Sequence, residues 1–268
     1  MIEKTEEILI GITIVMKALQ VGKAIIGIGN NKQDAIEKFS KYAKGYPGIT
    51  VEVLKDKYPQ GGEKQLIEAL TGHRIPSGSI PMSVSAVVQN IATVLAIYEA
   101  VQKNKPLIER VVTVTGKEVK YPSNILARIG IPIKVLIDAA GGLPDNTGKI
   151  ISGGPMMGKA LPSIHIPVSK GTSGILLIPT LEAGRKEVKN CIRCAKCVEA
   201  CPMGLDPTLL MSLTEFEMWD KAEKNNISDC IECGACSYVC PADRPLADYI
   251  HLGKSKVSIL ARERKTNF

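Results

Sequence analysis

With 268 residues and 45% hydrophobic side chains, the chain can form one large domain or two to three small ones. Aromatic residues make up 4%, too few for a base-stacking platform, and the formal charge of +7 counts every cysteine as neutral. No secretory signal pattern opens the sequence. The longest charge-free run, Ile75 to Tyr98, is broken by Pro76, Pro81, serines and amides, so neither a leader nor a bilayer-spanning helix is expected.

Residues 5 to 57 read as α/β. Glu6 to Leu19 has helical periodicity, and Lys23 to Gly29 is a short apolar run suited to a buried strand. Asn30 or Asn31 is expected to cap a helix reaching about Tyr42, and Ile49 to Leu54 reads as a second strand. A helix between two strands predicts a right-handed βαβ unit. Gly27-Ile28-Gly29 lacks the third glycine of a dinucleotide loop, because Lys32 stands in its place. These glycines are therefore read as a strand end before a helix.

Gly61-Gly62 opens an expected helix from Glu63 to Leu70, and Ile75 to Tyr98 reads as a loop leading into a buried helix covering Val84 to Lys103. A glycine pair at a helix start serves either a polar ligand or structural punctuation. From Ile108 to about Thr180 the texture turns to β. Arg110 to Thr115 and Glu118 to Tyr121 flank Gly116-Lys117 as a hairpin, and the apolar run Ile131 to Ile137 follows. Gly141-Gly142-Leu143-Pro144-Asp145 is a turn. Lys149 to Ser152 leads into Gly153-Gly154-Pro155-Met156-Met157-Gly158, and Ile175 to Ile178 is a further strand. The methionine pair packs a core or rests against a cofactor.

The last third carries all eight cysteines in two copies of one pattern, C-x2-C-x2-C-x3-C-P. The first copy is Cys191, Cys194, Cys197 and Cys201 before Pro202; the second is Cys230, Cys233, Cys236 and Cys240 before Pro241. This is the spacing of a two-cluster 4Fe–4S ferredoxin, in which the fourth cysteine of each run ligates the other cluster. By that rule one cluster takes Cys191, Cys194, Cys197 and Cys240, and the other takes Cys230, Cys233, Cys236 and Cys201. A structural zinc site has no use for a third cysteine two residues on, and disulfides need an oxidising compartment. Two oxidised clusters with eight thiolates add roughly −4, which reduces the formal +7 to about +3.

The runs start 39 residues apart, leaving room for an inserted helix. Helical periodicity over Pro207 to Lys224 and Asp248 to Glu263 predicts an α-helical ferredoxin. Basic residues flank the cysteines: Arg185, Lys186, Lys189, Arg193 and Lys196 before or within the first run, and Lys254, Lys256, Arg262, Arg264 and Lys265 after the second. They form a solvated surface, or a docking face for an acidic redox partner or anionic membrane.

Taken in order, several segments resemble the RnfC family, the peripheral C subunits of Rnf electron transport complexes. These are Lys57-Tyr58-Pro59-Gln60-Gly61-Gly62-Glu63-Lys64-Gln65-Leu66, Val87-Val88-Gln89-Asn90, Ile108 to Gly116, Gly153 to Gly158, Lys170-Gly171-Thr172-Ser173-Gly174-Ile175 and both cysteine runs. The likeness runs from about Glu6 to Gly253. It implies a partial Rossmann-like α/β flavin and NADH domain of the complex I flavin-subunit type over 1–105. A β-grasp SLBB domain over 106–180 and a helical dicluster ferredoxin domain over 181–268 would follow.

The resemblance also implies FMN contacts from Tyr58, Gly61, Gly62 and Glu63 at one helix start and from Val88, Gln89, Asn90 and Thr93 near the flavin phosphate. It implies electron transfer between NADH and ferredoxin, coupled to ion movement by membrane-embedded sister subunits, with this subunit peripheral on the cytoplasmic face. No nucleic-acid partner is expected. The family's glycine-rich loop for flavin and NADH does not occur in these residues. A PduS-like cobalamin reductase would share the architecture with another acceptor, and a relay module that oxidises no NADH would share the clusters alone.

Overall fold

A computed structural model of the chain describes residues 1–266. They form two compact units, divided between Leu107 and Ile108.

In the first unit, α1 (Thr5–Leu19), β1 (Ala24–Gly29), α2 (Gln33–Ala43) and β2 (Ile49–Leu54) form the expected βαβ unit, with β1 and β2 parallel and Ala24 opposite Ile49. Helix α2 buries Ala35, Phe39 and Ala43, one residue per turn, against Ile8, Leu9, Ile26 and Ile28. Asn30 and Asn31 do not cap α2; its N-cap is Lys32, which makes no side-chain cap bond. Their amides tie the turn to the end of β2 instead. Asn30 Oδ1 accepts from the Asp56 N–H at 3.1 Å, and Asn31 Nδ2 donates to Asp56 Oδ2 at 3.0 Å.

Helix α3 (Glu63–Thr71) packs on β1 through Gly27. A Cβ there would stand 2.8 Å from Leu54 Cδ1 and 3.0 Å from Leu66 Cδ1, so this glycine serves close helix–strand packing. The helix expected from Val84 is shorter. Residues Pro81–Val84 form a 3₁₀ turn, Ser85 is left-handed at φ 55°, and α4 (Ile91–Lys103) starts only where Asn90 Oδ1 accepts the Ala92 N–H at 2.9 Å. Nor is α4 a fully buried helix, since Val94 is its one buried residue. It meets α1 closely at Gly11, where a Cβ would lie 2.5 Å from the Val94 carbonyl oxygen.

In the second unit, β3 (Glu109–Gly116), β4 (Ser123–Arg128), β5 (Thr147–Ser152), β6 (Lys159–Ala160) and β7 (Gly174–Pro179) form one mixed sheet, ordered β4-β3-β7-β5-β6. Strands β3 and β7 are parallel, and the other pairs are antiparallel. The returning strand of the hairpin is Ser123–Arg128, not Glu118 to Tyr121. Val119 turns into the core at 7% exposure, and Pro122, which has no N–H for a ladder, delays the strand. The run Ile131 to Ile137 is a helix, α5 (Ile133–Ala139), not a strand. Pro132 precedes its first turn, and Ile133, Leu136 and Ile137 bury one face against Val112, Val114, Ile175 and Leu177. A sheet crossed by one helix is the β-grasp arrangement that the family resemblance implies.

Short α6 (Thr180–Ala183) leads into the cysteine region, which holds α7 (Lys196–Glu199), α8 (Pro207–Glu215), α9 (Trp219–Lys224), α10 (Ala235–Tyr238) and α11 (Leu246–Thr266). The expected single helix over Pro207 to Lys224 is two helices. Glu217 takes a left-handed φ of 54° and breaks the ladder between α8 and α9. Leu210, Leu213, Ala222, Ile227, Ile250 and Val257 form the core that holds α8, α9 and α11 together. No described helix is long and apolar enough to cross a membrane.

Candidate iron–sulfur centres

The two cysteine runs fold as copies of each other. In each, the residue before the second cysteine and the residue two before the third are left-handed: Arg193 (φ 55°) and Ala195 (φ 58°), then Glu232 (φ 57°) and Gly234 (φ 76°). These turns aim successive thiols inward, and one short helix, α7 or α10, begins after each. A third matched pair, Gly204 (φ 65°) and Asp243 (φ 48°), follows the proline of each run. Helices α8 and α11 then start 39 residues apart, the same offset as the runs.

Two cavities result. One is lined by Cys191, Cys194, Cys197 and Cys240. The other is lined by Cys201, Cys230, Cys233 and Cys236. Each thus joins three thiols of one run to the last thiol of the other. Among the described residues, no three Cys, His, Asp or Glu side chains are grouped to hold a single metal ion.

The donor chemistry fits 4Fe–4S clusters. The Arg193, Leu205 and Glu232 N–H groups point at Cys191, Cys201 and Cys230 Sγ, each at 3.4 Å, and Thr208 Oγ1 lies 3.2 Å from Cys197 Sγ. Such donors stabilise thiolate ligands. Arg244 also lines the first cavity, and its buried Nε has no hydrogen-bond partner.

The two cavities differ in surroundings. Cys191 and Cys194 are exposed, whereas no cysteine of the second cavity is. Burial pushes the Cys236 thiol up to about 11 and raises Cys230 as well. Cys230 and Cys236 would lose their protons outright as ligands of a bound iron, which would offset that cost. Burial also works to raise the Glu232 carboxyl, but hydrogen bonds from Lys254 and His251 outweigh it and hold the group below the usual range. Lys254 Nζ lies 3.0 Å from Glu232 Oε1 and donates to the Cys230 carbonyl at 2.6 Å, and His251 Nδ1 is 2.7 Å from Glu232 Oε2.

The Gly153–Gly158 loop reaches this second site. A Cβ on Gly234 would stand 2.8 Å from the Met156 carbonyl oxygen, which is why glycine occupies the position where Ala195 serves in the first copy. The methionine pair is not core: Met156 rests against the second cysteine run, and Met157 is 54% exposed.

The flanking basic residues are partly neutralised. Arg185 pairs with Asp248 at 2.8 Å, Lys186 with Asp243 at 3.4 Å and Arg264 with Glu223 at 2.6 Å. The Lys265 side chain lies outside the described residues.

The residues expected to meet a flavin stand at two helix starts in the first unit. Gly62 is the N-cap of α3 and Glu63 its first residue; Tyr58 is exposed and joined to Pro59 by a cis bond. Nothing lies within 4 Å of a Cβ built on Gly61, so the backbone there is open to approach. Val88 and Gln89 lead to Asn90, the N-cap of α4, and Thr93 is exposed in the first turn of that helix. The capping use of the Asn90 amide was not visible in the sequence pattern. Nor was Arg244, whose only sequence signal is that Leu205 holds the matching place in the first copy.

Family comparisons agree with this order of domains. Residues 1–99 match the model of the Nuo51 FMN-binding domain, residues 111–160 the SLBB domain and residues 183–241 the 4Fe-4S dicluster domain. The chain is 47% identical over 96% of its length to the C subunit of the proton-translocating ferredoxin:NAD(+) oxidoreductase complex of Clostridium ljungdahlii, covering 56% of that protein. It is 45% identical over 100% of its length to the Na(+)-translocating counterpart of Acetobacterium woodii, covering 60%. It is 43% identical over 97% to the C subunit of the ion-translocating oxidoreductase complex of Yersinia pseudotuberculosis, covering 38%. The chain therefore spans little more than half the length of the first two relatives, and less of the third. Among solved structures, an NAD+-reducing [NiFe]-hydrogenase chain shares the fold at TM-score 0.54 and 16% identity, over 85% of this chain and 41% of that one.

Proposed function

Because this chain belongs to the family of C subunits of Rnf-type ion-translocating oxidoreductase complexes, we propose that it relays electrons between a flavin and NADH side and ferredoxin within such a complex. Membrane-embedded partner subunits would couple that flow to ion movement. The protein would sit peripherally on the cytoplasmic face. The observation that carries the reading is the pair of four-thiol cavities in one helical unit. Bound there, 4Fe–4S clusters supply one-electron carriers. We divide the chain for this purpose into 1–105, 106–180 and 181–268.

In this reading Cys191, Cys194, Cys197 and Cys240 hold one cluster, and Cys230, Cys233, Cys236 and Cys201 hold the other. The N–H groups of Arg193, Leu205 and Glu232 and the Thr208 hydroxyl hold the thiolates in place. Tyr58, Gly61, Gly62, Glu63, Val88, Gln89, Asn90 and Thr93 offer FMN two helix starts, whose positive dipole ends suit a phosphate. Anaerobic purification with FMN, iron counting and reduction by NADH tests the whole reading. About eight irons per chain, bound FMN and cluster bleaching by NADH are expected. Fewer than half that iron would sink the cluster assignment, and clusters that respond to dithionite but never to NADH would leave only a relay.

Asn90 has two separable roles. Asn90→Ala should cost about 0.5–2 kcal/mol of stability through the lost cap and should also weaken FMN. Asn90→Asp keeps the capping oxygen, so the thermal midpoint of the first unit should recover while FMN affinity stays low, because the amide donor is replaced by a negative charge. Equal FMN affinity in all three proteins would remove Asn90 from the flavin site.

A further inference from the structure

The duplicated cysteine runs allow the two cavities to be compared position by position, and they differ most in charge. The residue four after the last cysteine of the first run is Leu205, which lines the second cavity; its counterpart after Cys240 is Arg244, which lines the first. The residue before the second cysteine is Arg193 in the first copy and Glu232 in the second. Crossing of the runs therefore gathers Arg193 and Arg244 at one cavity and leaves Leu205 and Glu232 at the other.

Lys254, 3.0 Å from Glu232, cancels the negative charge at the second cavity. At the first, Arg244 is only loosely compensated: its Nη2 stands 4.0 Å from Glu215 Oε2 and 3.6 Å from Met211 Sδ, and its buried Nε–H has no partner. The Arg244 side chain is 20% exposed. A cationic donor so placed favours the more negative, reduced form of whatever the four thiols hold. The exposed Cys191 and Cys194 let solvent act in the same direction.

We propose that Arg244 makes the cluster of Cys191, Cys194, Cys197 and Cys240 the higher-potential member of the pair. The electron shared between the two clusters then rests mainly at that solvent-facing end. This rests on the dicluster reading above; an iron count far below eight would fail that reading, whereas full iron with unordered potentials would fail this inference alone.

The test is an EPR-monitored redox titration of the full, anaerobically reconstituted chain. Cys191→Ala identifies which signal belongs to the first cavity. In the unsubstituted protein that signal should have the higher midpoint; a lower one overturns the proposal. Arg244→Leu, which copies Leu205, should shift the electron-sharing equilibrium at least tenfold away from that cluster, or about 59 mV for one electron, with the other midpoint unmoved. Both midpoints unchanged with iron retained would overturn it. Arg244→Lys keeps the charge and should keep the order of potentials even if the leucine variant loses iron; equal or reversed midpoints in it also overturn the proposal.

Discussion

Cys240→Ala is expected to remove the cluster associated with Cys191, Cys194 and Cys197 and to leave the other in place. Iron should fall from about eight to about four per chain. Cys240 lies in the same cavity as those three thiols, while its own run lines the other. Double substitutions make the result unambiguous. Cys191→Ala combined with Cys240→Ala should lose no more iron than either change alone, because both act on one site. Cys191→Ala combined with Cys201→Ala should lose nearly all of it. If the first pair instead strips both clusters and the second strips one, each run holds its own cluster and the crossed assignment is wrong.

Gly253→Leu should destabilise the cysteine region and release both clusters. Gly253 lies within α11, where a Cβ would stand 2.8 Å from Ile227 Cδ1 and collide with Thr214 Oγ1 of α8. Thr214 is 3% exposed and its hydroxyl is already without a partner, so there is no slack to absorb a side chain. Overpacking of this kind costs about 1–3 kcal/mol, sometimes more. The two helices carry cavity walls: Thr208 of α8 and Leu246 of α11 line the first cavity, and Pro207 of α8 and Ile250 of α11 line the second. Separating them should lower the thermal midpoint and speed iron loss to a chelator at both sites. Gly253→Ala should do the same more mildly. Gly184→Ala is the control, since a Cβ there meets nothing within 4 Å. Equal iron-release rates in the leucine variant and the control would show that α8 and α11 do not hold the cavities.

Much of the architecture was legible because it is local. Helix α1 and strands β1 and β2 follow periodicity over a few residues, and each cysteine run encodes its own tight loop. The readings that failed were those where neighbouring residues leave two outcomes open. An apolar run such as Ile131 to Ile137 suits a strand or a helix, and what decided it was the face that Ile133, Leu136 and Ile137 bury against the sheet. Asn30 and Asn31 have the chemistry of caps, but Asp56, which follows β2, claimed both amides. The helix expected from Val84 ran past the true start at Asn90 because the apolar pattern continues through a loop that only backbone geometry reveals.

By itself the sequence determined that eight thiols occur in two ferredoxin-type loops, behind an α/β segment and a β-rich segment. Ligand spacing within a loop is set by the chain alone, over a dozen residues. The spacing also predicted which last thiol meets which loop; the tertiary structure decided which side chains from outside the runs surround each cavity. Packing of α8, α9 and α11 around Leu210, Ile227 and Ile250 brings Cys240 to the first run. It carries Arg244 to one cavity and Leu205 to the other. Part of the asymmetry lies within the runs, as Arg193 against Glu232, and part comes from Arg244 and Leu205, which only packing brings to the other run's cavity, because charge acts through space and not along the backbone.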